Sequence, residues 1–157
     1  LIVTTSTCIF GLSNSFHQER TMSAVKTLDI FGEKVEVYVT GEMTGGSVAV
    51  CVQVTAPGGG PPPHMHTRED ETFCVLEGSF EFLDHGTWRP LTVGVPAFAP
   101  RNVVHTFRNA GTTTGRILFA ASPAGLEVFF EHLAGLSPAT DMPRILELFA
   151  QYGLSLA

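Results

Sequence analysis

From Val35 to Ser122 the sequence is a succession of short β-rich runs, VEVYVTG, SVAVCVQVTA, TFCVLEGSFEFLD, TWRPLTVG, VVHTFRNAG and RILFAAS, separated by Gly, Asn, Asp and Pro. Strand-formers in pieces this short, with turn residues between them, predict an antiparallel sandwich or barrel, because no stretch of helical period interrupts them. LEGSFEFL reads as a hairpin, with Glu77-Gly78 supplying the turn. After Pro123 the period changes. Leu126, Phe129, Phe130 and Leu133 fall at i, i+3, i+4 and i+7, as do Ile145, Leu148, Phe149 and Tyr152, which predicts two amphipathic helices. Ser122-Pro123 is expected to start the first and Asp141 with Pro143 the second, with Gly135 and Gly153 as stops.

This pattern divides the 157 residues into an N-terminal extension over 1–21, expected to be disordered, a β-barrel over 22–122 and a helical extension over 123–157 packed on the barrel. The opening LIVTTSTCIFGLSNSFHQERTM lacks the positive start of a signal peptide and is too broken by Ser and Thr for a membrane span. Met22 is a candidate natural start. Apolar residues make up 44% of the chain and charged residues only 15%, a balance that favours burying a subunit interface, so a homodimer is expected. A formal charge of −6 without a Lys/Arg run argues against nucleic acid or a membrane as the partner. Cys8, Cys51 and Cys74 are an odd, widely spaced set without CxxC; they suggest neither a disulfide framework nor a thiolate zinc site, and fit a reducing, cytoplasmic setting.

The chemistry concentrates around GGGPPPHMH, residues 58–66. Glycines at 58–60 can bend the chain through positive φ, and prolines at 61–63 brace an extended approach to the histidines. His64 and His66, two apart on an extended segment, face the same side and can share a metal; two polar residues on a solvated strand face would show the same spacing. Glu69, Asp70 and Glu71 follow, any of which can return a carboxylate. His105 sits among apolar residues in VVHTFRN, where it is either a ligand or a core histidine satisfied by a backbone carbonyl. His17, His85 and His132 read as surface residues. Phe73, Val75, Phe98 and Phe107 are candidates for an apolar pocket wall, or ordinary core, and Gln53 in CVQV either points inward or does not.

The spaced set Gly58, His64, His66, Glu71 and Gly78 resembles the first cupin motif, and Gly94, Pro100, His105 and Asn109 resemble the second. Where the second motif usually has glycine this chain has Asn102, the best non-glycine occupant of left-handed backbone. The resemblance implies a double-stranded β-helix (jelly-roll) barrel of the single-domain, RmlC-like kind, and a metal held by His64, His66, Glu71 and His105. The helical tail resembles that of small bacterial quercetin-dioxygenase-like cupins. Three neutral imidazoles and a carboxylate suit one divalent Fe, Mn, Ni, Co, Cu or Zn ion. Octahedral geometry would leave two positions for water, substrate or dioxygen.

These readings lead to an expected dioxygenase for a small enolic or phenolic substrate, with Glu71 as ligand or as holder of the substrate proton. Two alternatives use the same site: non-redox isomerisation, decarboxylation or cyclisation, and non-catalytic binding of a small molecule. Metal loss on acidification is expected, since free histidine titrates at about pH 6.5.

Overall fold

The structure, a computed structural model, describes residues 22–157; the expectations for 1–21, with Cys8 and His17, lie outside the described residues. The strands alternate inward and outward side chains, so each forms one layer of a core only when a second sheet covers it. Two antiparallel sheets meet this need as a β-sandwich jelly roll. The first orders β1 (Lys26–Ile30), β2 (Glu33–Val39), β3 (Ala49–Thr55), β10 (Gly115–Ser122), β5 (Asp70–Glu77) and β8 (Ala97–Ala99). The second orders β11 (Leu154–Leu156), β4 (His64–His66), β9 (His105–Asn109), β6 (Phe80–Asp84) and β7 (Thr87–Pro90). A one-turn helix α1 (Gly41–Thr44) lies between β2 and β3, and α2 (Leu126–Leu133) and α3 (Met142–Tyr152) follow the last long strand.

The core between the sheets is aromatic. Phe73 packs against Phe82 and Phe107 with ring centroids 5.5 and 5.6 Å apart, in the tilted arrangements that aromatic quadrupoles prefer. Inward positions of β5, β10 and β3 form three rungs across the first sheet: Glu71, Ala121 and Ala49; then Phe73, Phe119 and Cys51; then Val75, Ile117 and Gln53. The expectation that LEGSFEFL is a hairpin is corrected. β5 pairs with β10 and β8, whereas β6 pairs with β7 and β9, so Glu77-Gly78 carries the chain from one sheet to the other. Turn residues signal only a reversal; the partner of β5 is chosen by matching its apolar face to β10. The tight DHGT turn is the true hairpin here, joining β6 to β7 with His85 and Gly86 both at positive φ.

The start of the first long helix is also corrected. The Ser122–Pro123 bond is cis, Ser122 closes β10, and α2 begins only at Leu126. The buried Glu127 carboxylate accepts from Gly125 N, at the N-cap of α2, at 2.8 Å and from Gly41 N at 2.7 Å, tying the helix start to α1. Asp141 and Pro143 do start α3, and Gly153, in the left-handed conformation at φ 76°, ends it. The chain then adds β11, which the sequence analysis did not foresee. Three residues, LSL, are too short for a periodicity signal, and they become a strand only because β4 offers an open edge: Leu154 pairs with His66 and Leu156 with His64.

The bend anticipated at GGG is present, with Gly58 at φ 76° and Gly60 at φ 138°. A Cβ on Gly60 would stand 2.2 Å from the Phe107 carbonyl oxygen, so both the torsion and the space exclude a side chain. Gly86, at φ 78°, has nothing within 4 Å of a built Cβ. We therefore predict that Gly60→Ala destabilises by ~3 kcal/mol or more, torsion and clash combined, while Gly86→Ala costs ~1 kcal/mol. Urea unfolding midpoints check this, and equal midpoints for the two variants would contradict it.

Candidate metal centre

Each ligand side chain is placed by its strand. Along β4 the side-chain period of two puts His64 and His66 on one face, and His64 is the residue paired with His105 of the neighbouring β9. From the opposite sheet, Glu71 projects inward at the start of β5 while Asp70 projects outward, where its carboxylate accepts from Arg101 Nη2 at 2.7 Å. Strand alternation thus makes the choice that sequence position left open: Glu69 and Glu71 face in, and Asp70 faces out. His66, Glu71 and His105 are 1%, 3% and 2% exposed, and His64 is half-buried at the cavity edge.

One nitrogen or oxygen from each of His64, His66, Glu71 and His105 lies within 4.8 Å of the others. Glu71 Oε2 is 2.8 Å from His105 Nε2 and 3.2 Å from His66 Nε2. On the far side of each ring, Nδ1 meets an acceptor: the Pro62 carbonyl for His64 at 2.8 Å, the Val103 carbonyl for His105 at 2.9 Å, and Glu69 Oε2 for His66 at 3.4 Å. A proton held on Nδ1 leaves the Nε2 lone pair as the inward donor, which is how metal-binding histidines are oriented. His66 Nε2 is fully buried without a hydrogen-bond partner, a cost that a protein avoids unless something else fills the role. The donor set, its orientation and this orphaned nitrogen all fit a divalent transition metal.

The electrostatics agree. Burial pushes His64 down to about 4, outweighing the attraction of Glu71, with His66 and His105 adding to the depression. Burial opposes ionisation of Glu71, yet the hydrogen bond from His105 and the neighbouring imidazoles hold its carboxyl below the usual range. For His105, burial favours the neutral ring, but the hydrogen bond to Glu71 wins and raises it.

The site opens into a cavity of about 290 Å³, at the small end of ligand pockets. Gln53, Phe73 and Phe107 line it. Two sequence candidates do not. Phe98 points away from the cavity on β8 and is 61% exposed, because Ala97 and Ala99 take the inward positions beside Phe73 and Glu71. Val75 is buried in the core beyond the cavity. The sequence analysis missed the helical wall: Leu126, Phe129 and Phe130 of α2 and Phe149 of α3 also line the cavity. Their apolar spacing was the signal, read there only as helix packing. Glu69, which the sequence offered as an alternative carboxylate, is 5% exposed behind His66, where it meets the ring at Nδ1.

Residues 51–121 match the family model described as Cupin domain, and this segment belongs to that family. Protein SchB of Streptomyces halstedii is 30% identical over 94 residues, 60% of this chain and 59% of SchB; the curated relatives are matched over 59% and 39% of their own lengths. A predicted oxalate decarboxylase from Thermotoga maritima is 21% identical, with 65% of this chain and 93% of that one superposing at TM-score 0.55. An RmlC-like cupin from Shewanella frigidimarina is 22% identical, with 73% and 93% covered at TM-score 0.53. At these identities the likeness is one of fold. No helix of the described residues is long and apolar enough to cross a membrane.

Two predictions follow from the ligand shell. Glu69→Ala should weaken metal binding about 10–100-fold while leaving the fold intact, as loss of a ring-orienting partner does; competition with a chromophoric chelator measures it, and unchanged affinity would contradict the role. Protons must leave the imidazoles before metal can bind, so affinity falls as pH falls. His105, raised by Glu71, takes up a proton at a higher pH than a free imidazole, whereas His64, pushed down to about 4 by burial, stays available. Metal content should therefore drop between pH 7.5 and pH 5; equal content at both would contradict the assignment.

Proposed function

We propose that the protein is a mononuclear metal-dependent dioxygenase acting on a small enolic or phenolic substrate, with His64, His66, Glu71 and His105 as ligands. The observation that carries this reading is the convergence of three imidazoles and one carboxylate, of which His64, His66 and Glu71 line a small, mainly apolar cavity. A divalent transition metal held there supplies a Lewis-acid centre and a route for electrons to dioxygen. Four protein ligands of six leave room for a chelating substrate.

The chain's own groups supply the rest. Phe73, Phe107 and Phe119 wall the cavity and keep water from an electron-rich ring or enolate. Glu71 is kept ionised by its imidazole neighbours, and in place of ligating it would accept the proton of an enol or phenol hydroxyl. A homodimer is the assembly we propose, supported by Leu76, Val93, Val95 and Phe98, which are 43–61% exposed; Leu76 and Phe98 lie on the outer face of the first sheet.

An oxygen electrode with protein loaded in turn with Fe, Mn, Ni, Co and Cu, screened against enolic and catecholic compounds, tests the activity. Oxygen consumed in a one-to-one ratio with substrate is expected, and abolished in His66→Ala. Product formed without oxygen uptake would instead support isomerase, decarboxylase or cyclase chemistry. Saturable binding without turnover would support a binding role.

A further inference from the structure

The cavity has a second polar locus. Glu33, on β2, and Gln53, on β3, both line it. Gln53 is only 7% exposed, and its Nε2 donates to Glu33 Oε2 at 3.4 Å. Among the described residues this long contact is the one hydrogen bond that Glu33 accepts from a side chain, and no cation pairs with it; Lys34 and Arg116 are both engaged by Glu36 on the opposite face of β2. Glu33 is half-buried, and a carboxylate at the edge of an apolar cavity with one weak donor retains acceptor capacity that a ligand can use.

The strand register places this pair relative to the metal ligands. Glu71 shares a rung with Ala121 and Ala49, whereas Gln53 shares one with Ile117 and Val75, two inward rungs along; Gln53 pairs with Val35 of β2, so Glu33 stands one inward rung further. From Ala49 to Gln53 is on the order of 13 Å of strand at the usual rise. Between the two polar loci lies the rung of Phe73 and Phe119, both lining the cavity. The sequence of surfaces is thus metal donors, aromatic walls, then an acceptor. Side chains reaching in from each end shorten the gap, and the volume of about 290 Å³ limits the occupant to a small molecule.

We propose that Glu33, steadied by Gln53, is a specificity residue that accepts a hydrogen bond from a hydroxyl on the substrate remote from its metal-chelating oxygens. The substrate class is then a flat, mainly apolar molecule of about two fused rings, with vicinal oxygens at one end and a hydroxyl at the other. This rests on the reading of the site as a metal centre that chelates substrate. Gln53 acts through Glu33, as a positioning residue.

Zinc-loaded protein allows the test without oxidation. The dissociation constants of 2,3-dihydroxynaphthalene and naphthalene-2,3,6-triol, which adds one hydroxyl at the far ring, are measured by calorimetry for wild type, Glu33→Ala and Glu33→Gln. In wild type the triol should bind about tenfold more tightly than the diol, the worth of one hydrogen bond to a charged acceptor. Glu33→Ala should abolish that advantage and Glu33→Gln reduce it, with the diol's affinity unchanged in both, which also shows that the variants remain folded. Equal binding of diol and triol by wild type, or an advantage that survives Glu33→Ala, would overturn the role of Glu33 while leaving the metal centre standing. Binding of neither probe by zinc-loaded protein would overturn the substrate class, and failure of the protein to take up zinc would overturn the metal centre on which it rests.

Discussion

The arrangement depends on one carboxylate oxygen. Glu71 Oε2 lies between His105 and His66 at 2.8 and 3.2 Å, inside a protein whose space between the sheets is filled mainly by apolar side chains. A lone carboxylate there would be expelled or protonated. It stays ionised because three imidazoles from the opposite sheet face it, and those rings can face it only if the sheets pack in this register. The site and the sandwich therefore impose the same condition: β5 must lie opposite β4 and β9.

The flanking structure serves that condition. Gly60 lets the chain pass against the Phe107 carbonyl, and the prolines deliver His64 to β4. On the other edge of β4, β11 pairs residue for residue with the two histidines, and Arg68 Nη2 donates to the Gln151 carbonyl at 2.7 Å. The helices are part of the site in the same sense, since α2 and α3 close the cavity with aromatic side chains rather than merely covering the barrel. The four donor side chains are held by strands, while α2 and α3 supply one part of the cavity wall.

Much of this was legible in the residues. Short strands with turn punctuation predicted an antiparallel two-layer fold because alternation needs a covering sheet, and Asn102 does adopt the left-handed turn expected of it, at φ 64°. The resemblance of the two motifs implied a cluster of His64, His66, Glu71 and His105, and their donor atoms do converge. What failed was non-local. Glu77-Gly78 looked like a hairpin because a sequence shows where a chain reverses, not which strand it then joins. Ser122-Pro123 looked like a helix start because a cap and a strand end use the same residues. Phe98 looked like pocket because its neighbours are apolar, yet the two alanines beside it claim the inward face.

The central claim is that these four side chains together bind one metal ion through imidazole nitrogen and carboxylate oxygen. X-ray absorption at the zinc edge of stoichiometrically loaded protein tests it directly. The account predicts a nitrogen and oxygen shell at about 2.0–2.2 Å, with the outer-ring scattering of three imidazoles. A shell containing sulfur at about 2.3 Å, or one with no imidazole signature, would contradict it.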